Sequence, residues 1–317
     1  MKDQLKSFFT NYWGYLAVSA ACELNIFDNL VTPKTIQQLS EKLSLNSKTL
    51  GFLLNSLNEI GFLSKKQEQF QINKLSEFLT ENHPESLKYA CLNWSKEHLT
   101  AWQNLSYSIK TGESAFEKVY NTSFFEYLTE NPEKTPLYHK AMYEYARDDY
   151  KELPNIVNFG KHKTVMDVGG GYGALITNIA EKNPLTKCIL FDLGNVIKDV
   201  VFSNIDKIEG DFFCKIPVKT EAIILSRILH DWNDEKATLI LKNCFEALTE
   251  KGNLYIIENC IDKTNINLSM LSLNMIVMCE SYERTFEEYS LLTKKVGFSF
   301  LESLKVNTLQ TLLIFQK

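Results

Sequence analysis

The stretch VMDVGGGYG, Val165–Gly173, decides the fold of this chain. An apolar run leads into four glycines within five residues, and a helical pattern over Ala174–Lys182 follows them. Glycine allows a sharp turn and a close approach of the backbone to a ligand. A strand, a glycine-rich turn and a helix in this order therefore indicate a cofactor site in an α/β sheet. A tight turn without a ligand is the weaker interpretation.

The same turn discriminates between two classes of cofactor. A dinucleotide fingerprint reads G-x-G-x-x-G, and Ala174 stands here at the last glycine position, where alanine is sometimes accepted. NAD therefore stays open as an alternative. Asp167, two residues before the first glycine, is unfavourable for a pyrophosphate and suits a cofactor with an amino group, which favours S-adenosylmethionine. Asp192 ends the next apolar run, where a carboxylate can hold both ribose hydroxyls.

Short apolar runs alternate with helical patterns from about residue 160 onward, which predicts a βαβ series and a mostly parallel sheet. The predicted strands are Thr164–Val168, Cys188–Phe191, Ile205–Glu209, Ala222–Leu225 and Leu254–Ile257, with a last pair near Phe298–Leu304 and Leu312–Phe315. Ligands bind at the carboxyl ends of strands in such a sheet. Polar residues fall at these ends, namely Asp167, Asp192, Asp211, His230 and Glu258.

Two strand ends carry side chains suited to an adenosine. Asp211 and Phe212 follow the third strand, where a carboxylate can accept from an adenine amino group and a ring can lie against the base. Ser226 and Arg227 close the fourth strand.

A base is predicted next to this site. Transfer of a methyl group from a sulfonium needs no metal, but the acceptor hydroxyl must lose its proton. His230 is the candidate base, and Glu258 is the candidate group that orients it. The alternative is a structural histidine, which is less favoured beside a cofactor turn. Asp231 and Asp234 are expected to be the N-cap and first-turn residues of a helix over 235–249.

The first part of the chain predicts a different unit. Amphipathic helices are expected over 15–30, 35–45 and 47–61, and two short strands around a polar turn at 65–69 indicate a hairpin. This is the order of a winged helix. Lys48 is the only basic residue of the third helix. Phosphate contacts dominate DNA affinity, so a protein–protein role is expected instead.

Composition sets further limits. The 317 residues are 44% hydrophobic and 23% charged, with a formal net charge of −5, so neither nucleic acid nor a membrane is expected as a partner. Seven cysteines are scattered without a C-x-x-C pair. They predict reduced thiols in a cytoplasmic protein and no metal site.

The chain resembles the bacterial and plant class I O-methyltransferases of small molecules, in which a winged-helix dimerisation domain precedes a Rossmann-like catalytic domain. The resemblance covers nearly the whole chain. It is carried by Ala20–Asp28, Leu53–Phe62, Thr111–Phe116, Phe124–Leu128, Asp167–Gly173, Phe191–Leu193, Gly210–Phe213, Ile228–Glu235, Glu258 and Glu283–Thr285.

The resemblance implies an α/β fold and specific roles. S-adenosylmethionine would be converted to S-adenosylhomocysteine, without a metal. The implied cofactor residues are Asp167, Gly169, Gly171, Asp192, Leu193, Asp211, Phe212, Ser226 and Arg227. The implied catalytic residues are His230, Glu258 and Glu283, and the implied substrate residues are Met142, Trp232, Asn274, Met275 and Met278. The implied domains are a dimerisation domain over 1–95, a helical bridge over 96–155 and a catalytic domain over 156–317, in a homodimer.

The chain also departs from the family pattern. The segment Glu280-Ser281-Tyr282 corresponds to one beside the acceptor site of relatives, and two positions that are small there are larger and polar here. This predicts a narrower pocket with extra hydrogen-bonding groups. Gly194 replaces a proline and is expected to loosen a loop.

Three functions are weighed. The leading one is O-methylation of a small aromatic hydroxyl compound. The second keeps the cofactor but transfers no methyl group, as in decarboxylation, hydroxylation or a rearrangement, and His230 with its flanking glutamates argues against it. The third is a DNA-binding regulator, against which the weakly basic helix argues.

Overall fold

A computed structural model describes residues 1–261, 266–279 and 281–317. The chain forms two compact units, Met1–Glu97 and His98–Lys317. The segment over 98–155, predicted as a separate bridge, belongs to the second unit.

The first unit has a winged-helix order. Its elements are α1 (Lys2–Glu23), α2 (Ile26–Asn29), β1 (Lys34–Thr35), α3 (Ile36–Leu43), α4 (Ser47–Glu59), β2 (Leu63–Lys66), β3 (Gln69–Ile72) and α5 (Lys88–Trp94), with a 3-10 helix at Ser76–Leu79. The strands pair antiparallel in the order β1-β3-β2. The predicted hairpin is therefore confirmed.

The predicted helix over 15–30 is wrong at both ends. The helix α1 begins at Lys2 and stops at Glu23, and α2 is separate. Asn25 lies in the left-handed region with φ 54°, which interrupts the helix. Continued apolar spacing across the break hid it from sequence reasoning.

The second unit begins with helices and continues as a βαβ series. Its elements are α6 (Glu97–Trp102, which starts on the last residue of the first unit), α7 (Leu105–Thr111), α8 (Ala115–Tyr120), α9 (Phe124–Glu130), α10 (Thr135–Asp149), α11 (Leu153–Ile156), β4 (Thr164–Val168), α12 (Ala174–Lys182), β5 (Lys187–Asp192), α13 (Gly194–Ile197), β6 (Ile205–Glu209), β7 (Thr220–Ser226), α14 (Asp234–Ala247), β8 (Leu248–Glu258), α15 (Ile266–Cys279), α16 (Phe286–Val296), β9 (Ser299–Lys305) and β10 (Thr311–Gln316).

These strands form one seven-stranded sheet in the order β6-β5-β4-β7-β8-β10-β9. The first five are mutually parallel, and β10 runs antiparallel to β8 and β9. Alternate residues of each central strand enter two different cores, as Met166 and Val165 show. The α/β fold class is confirmed, and the carboxyl ends of β4, β5, β7 and β8 lie along one edge of the sheet.

Two further predictions concerned the loop at Gly194 and the state of the cysteines. A short helix, α13, begins at Gly194, where a loosened loop was expected. All seven cysteines are free thiols. In the ranges that the structure describes, no helix has the length and apolar character needed to cross a bilayer.

Candidate active site

The glycine turn joins β4 to α12. Gly169 has φ 72°, and its amide donates to the carbonyl of Phe191 at 2.8 Å. A Cβ on Gly169 would lie 2.6 Å from Ile228 Cδ1, and one on Gly170 would lie 2.6 Å from Asp167 Oδ2. Only glycine fits these two positions. The turn therefore packs directly against the segment that leads to His230.

Asp167 lies buried under this turn. Its Oδ1 atom has no hydrogen-bond partner among the described residues. Burial, with the nearby charge of Asp192, raises the pKa of Asp167 to about 7. An unpaired buried carboxylate is costly, and a cationic ligand group would offset that cost.

Asp192 ends β5 and braces the turn. Its Oδ2 accepts from the Gly171 amide at 2.8 Å, and its Oδ1 accepts from the Leu193 amide at 2.7 Å. Burial raises the pKa of Asp192 to about 6. Each oxygen retains capacity for a second hydrogen bond, so the carboxylate can still receive a ribose hydroxyl.

Aromatic rings collect beyond β6. The Phe212 ring centroid lies 6.1 Å from that of Trp232, and the Phe213 centroid lies 4.8 Å from Trp232. Asp211 is exposed and accepts from the Phe213 amide at 2.8 Å. Asn243 donates to the Phe212 carbonyl at 2.8 Å, which fixes this segment. An apolar wall of aromatic rings, packed edge to face, thus stands next to an exposed carboxylate.

Arg227 follows Ser226 at the end of β7 and has φ 54°, a strained conformation for a large side chain. Burial alone would lower the pKa of Arg227, but Tyr150, Glu283 and Glu258 raise it above its ordinary value. The guanidinium therefore stays charged among the acidic groups of the site.

His230 lies on a 3-10 helix, Leu229–Asp231, that follows β7. Its Nδ1 is 3.1 Å from Glu283 Oε1, and its Nε2 is 3.6 Å from Asp231 Oδ1. Burial acts to lower the pKa of His230, but Glu258, Glu283 and Asp231 outweigh it and raise the pKa to about 9.

The orienting contact comes from Glu283, where the sequence favoured Glu258. Oε1 of Glu258 accepts from the amides of Leu229 (2.9 Å) and His230 (3.4 Å), while its Oε2 lies 3.9 Å from His230 Nδ1. Burial raises the pKa of Glu258 to about 7. Glu258 thus holds the backbone of the turn, and Glu283 holds the ring.

Glu283 is fixed from a second side. Its Oε1 also accepts from Asn259 Nδ2 at 2.9 Å. Burial acts to raise the pKa of Glu283, but the charge of His230 lowers it below the ordinary value. Glu283 is therefore ionised beside the imidazole.

His230, Glu258 and Glu283 also offer ligand atoms within 4.8 Å of one another, a spacing that a metal ion could use. Oε1 of each glutamate accepts hydrogen bonds, whereas Oε2 of Glu258 and Oε2 of Glu283 are buried and have no hydrogen-bond partner among the described residues. The arrangement fits an oriented base.

The predicted substrate residues lie in different surroundings. Met278 belongs to an aromatic cluster with Phe116 and Phe124, and Met275 is buried on the same helix, α15. Asn274 Oδ1 accepts from Trp102 Nε1 at 2.8 Å, so this polar group is already used. Trp232 lies at the aromatic wall described above, and Met142 is half-buried on α10.

The structure describes two of the three residues in the segment before Glu283. Ser281 is buried, and its hydroxyl donates to the Trp232 carbonyl at 3.1 Å. Tyr282 is 45% exposed. Glu280 lies outside the described residues. Ser281 therefore secures the backbone near His230 through an internal hydrogen bond.

Some residues at the site escaped sequence reasoning. Asp231 faces His230 Nε2, and the N-cap of α14 is Asn233, so the prediction of Asp231 as N-cap is wrong. The ring of His139 stacks on that of Tyr172 in the glycine turn, with 5.4 Å between the ring centroids. Tyr138 is buried near Asp231, and burial raises its pKa well above the ordinary value. The helical spacing of α10 gave no sign that one face meets the cofactor turn.

Comparison with known proteins agrees with this geometry. A family model described as an O-methyltransferase domain matches residues 102–299. A phenazine O-methyltransferase, PhzM, from Lysobacter antibioticus is 30% identical over 307 residues, which cover 93% of this chain and 90% of that protein.

Two solved structures share the fold over the full chain. The crystal structure of LaPhzM is 29% identical, with a TM-score of 0.95 over 99% of this chain and 98% of that one. Human N-acetylserotonin methyltransferase in complex with S-adenosylmethionine is 22% identical, with a TM-score of 0.90 over 100% and 97%. The family match and the relative at 30% identity show that the chain belongs to the O-methyltransferase family, whose methyl donor is S-adenosylmethionine.

Proposed function

We propose that this enzyme methylates a hydroxyl group of a small aromatic molecule in secondary metabolism, with His230 as the general base. The observation that carries the proposal is the contact of His230 Nδ1 with the buried carboxylate of Glu283 at 3.1 Å. A donor hydrogen on Nδ1 leaves Nε2 with a lone pair, and a lone pair is what a base needs.

The residues present fit S-adenosylmethionine. The unpaired Oδ1 of Asp167 suits the cationic amino group, and the turn at Gly169 and Gly170 packs directly against Ile228 and Asp167. Asp192 with Leu193 would hold the ribose, and Asp211 with Phe212 would hold the adenine. Gly171, Ser226 and Arg227 would border the cofactor. The cofactor supplies an electrophilic methyl group.

The protein residues supply orientation and a proton acceptor. His230 Nε2 would accept the proton of the acceptor hydroxyl, while bound S-adenosylmethionine would supply its methyl group to the hydroxyl oxygen and be left as S-adenosylhomocysteine. The imidazolium formed is stabilised by Glu283 and by Asp231, which lies 3.6 Å from Nε2. Glu258 keeps the backbone of the turn in place.

Aromatic surroundings favour a flat acceptor. Phe125 lies at 5.2 Å from Trp232 with an interplanar angle of 30°, and both line a small recess beside Asp231 and Cys279. Binding sites for small molecules are commonly lined by aromatic side chains. The name of the phenazine O-methyltransferase also points to a ring system. The acceptor wall in the proposal consists of Met142, Trp232, Asn274, Met275 and Met278.

A homodimer is part of the proposal. The exposed apolar residues of α1 recur at helical spacing on one face, namely Leu5, Phe8, Phe9, Tyr12 and Trp13. Such a stripe marks a protein–protein surface. The seven free thiols support a reducing, cytoplasmic setting.

The test is a mass-spectrometric screen of the purified protein with S-adenosylmethionine and a panel of phenols, catechols and hydroxylated polycyclic aromatics. The expected product is heavier by one methylene and appears with an equal amount of S-adenosylhomocysteine. Methylation of nitrogen only, or of aliphatic hydroxyls only, would contradict the proposed acceptor class.

A further inference from the structure

Arg284 is the largest fully buried side chain of the protein among the described residues. It follows Glu283 directly, and its side chain donates to three different residues. Nη1 donates to the Leu229 carbonyl at 2.7 Å, and Nη2 donates to the Trp232 carbonyl at 2.7 Å. Nε and Nη2 both donate to Asp234 Oδ1, at 3.0 and 2.9 Å. The guanidinium is therefore bound almost entirely to one short segment.

That segment, residues 229–234, carries the base and is called here the His230 turn. Leu229 precedes His230, and Trp232 follows two residues after it. Asp234 is the first residue of α14. Arg284 thus fixes the backbone on both sides of His230 and ties it to a long helix. A planar guanidinium with five donors can do this, whereas a lysine ammonium cannot match the geometry.

A second buried contact reinforces the same backbone. Ser281 Oγ also donates to the Trp232 carbonyl, and the Ile261 amide donates to the Arg284 carbonyl at 3.0 Å. The segment that presents Glu283 to the imidazole, residues 281–284, therefore also holds the His230 turn. A shift of Arg284 would change the distance between His230 Nδ1 and Glu283 Oε1.

We propose that Arg284, anchored by Asp234, is a positioning residue that sets the geometry of the His230–Glu283 pair. The inference rests on the proposed role of His230 as base. Misplacement of catalytic groups by about 1 Å can cost roughly a hundredfold in rate. The hydrogen bond of Nδ1 with Glu283 is the quantity that Arg284 controls.

The chain offers a matched pair of variants. Asp234→Ala removes the anchor of Arg284, while Glu235→Ala removes the next acid, an exposed residue in the same first turn of α14. Each variant deletes one negative charge near the helix N-terminus, so their effects on the helix dipole are similar. Arg284→Lys keeps a buried positive charge but loses the planar guanidinium and its set of N–H donors.

The measurement is the pKa of His230 by NMR in the free protein, together with kcat and the KM for S-adenosylmethionine. Asp234→Ala and Arg284→Lys are expected to lower the pKa of His230 by about half a unit or more, because Glu283 moves away from Nδ1. They should lower kcat by about tenfold and leave the KM for S-adenosylmethionine within about twofold. Glu235→Ala should match the wild type in the pKa of His230, in kcat and in the KM for S-adenosylmethionine.

Equal behaviour of Asp234→Ala and Glu235→Ala in pKa and kcat would overturn the proposal. So would an Arg284→Lys protein that folds and keeps the wild-type pKa of His230. The NMR titration does not require turnover. A wild-type protein without methyl transfer would refute the proposed function, whereas an unchanged pKa in the variants would refute the role of Arg284.

Discussion

Nδ1 of His230 lies 3.1 Å from Oε1 of Glu283, and both side chains are buried. The carboxylates around the ring raise the pKa of His230 to about 9, so the free protein holds an imidazolium at neutral pH. A nearby cation disfavours a second positive charge. Binding of a sulfonium should therefore help His230 to become the neutral base that the reaction needs.

Removal of the imidazole should abolish the chemical step. In His230→Gln, kcat should fall by about 10²–10⁴-fold, the contribution typical of a general base. The dissociation constant for S-adenosylhomocysteine, measured by calorimetry, should stay within about twofold. His162→Gln is the control, because His162 is a buried histidine that contacts Tyr255 far along the chain from the His230 turn. Near-normal turnover in His230→Gln would remove His230 as the base.

The pH dependence follows from the raised pKa of His230. Only the neutral imidazole accepts a proton, so kcat/KM for S-adenosylmethionine should rise with pH, reach half its maximum near pH 9 and level off above it. Glu283→Gln removes one negative charge that raises the pKa of His230. In this variant the rise of kcat/KM should therefore occur at lower pH, and the maximum value of kcat/KM should be smaller. If kcat/KM of Glu283→Gln rises at the same pH as in the wild type, Glu283 does not influence the pKa of His230.

Asp167 should link cofactor affinity to stability. Its folded pKa of about 7 lies above the ordinary value of 3.8, so the fold loses stability as pH rises from about 4 to 7. Asp167→Asn should therefore raise the melting temperature of the free protein at pH 8 and weaken S-adenosylmethionine binding by about tenfold or more. Asp206→Asn, on the exposed pair with Lys187, should change neither. Unchanged affinity in Asp167→Asn would contradict its role toward the cofactor.

The stripe on α1 should hold two copies of the chain together. Sedimentation at micromolar concentration should give a dimer. The double variant Phe8→Glu and Trp13→Glu should give a monomer, because it places charges on the stripe. Ser7→Glu adds a charge on the opposite face of α1 and should remain dimeric. A wild-type monomer would refute the dimer.

Strand positions were predictable because buried parallel strands are short apolar runs. The observed β4 and β6 have the predicted bounds, and the predicted β8 core, Leu254–Ile257, lies inside a longer strand. That strand begins earlier because Leu248 pairs with Thr220 across an irregularity in register. Polar residues there concealed the extension.

Candidate site residues that directly follow strands were predictable from the sequence. Those on an irregular segment distant in sequence were less so. The glycine turn and His230 lie at strand ends that a hydrophobic pattern reveals. Glu283 and Arg284 come from an irregular segment between α15 and α16. Their contacts with the His230 turn depend on tertiary packing, so sequence spacing could not rank Glu283 above Glu258 or reveal the role of Arg284.

Central to this account is that a methyl group moves from the sulfonium to an acceptor oxygen with His230 as the base. The most direct test supplies S-adenosylmethionine with a deuterated methyl group and follows the acceptor by mass spectrometry, with wild type and His230→Gln side by side. The wild type should give an O-methyl product that carries the whole label, with one S-adenosylhomocysteine per product, and His230→Gln should give almost none. A changed acceptor without the label, or equal labelling by both proteins, would contradict the account.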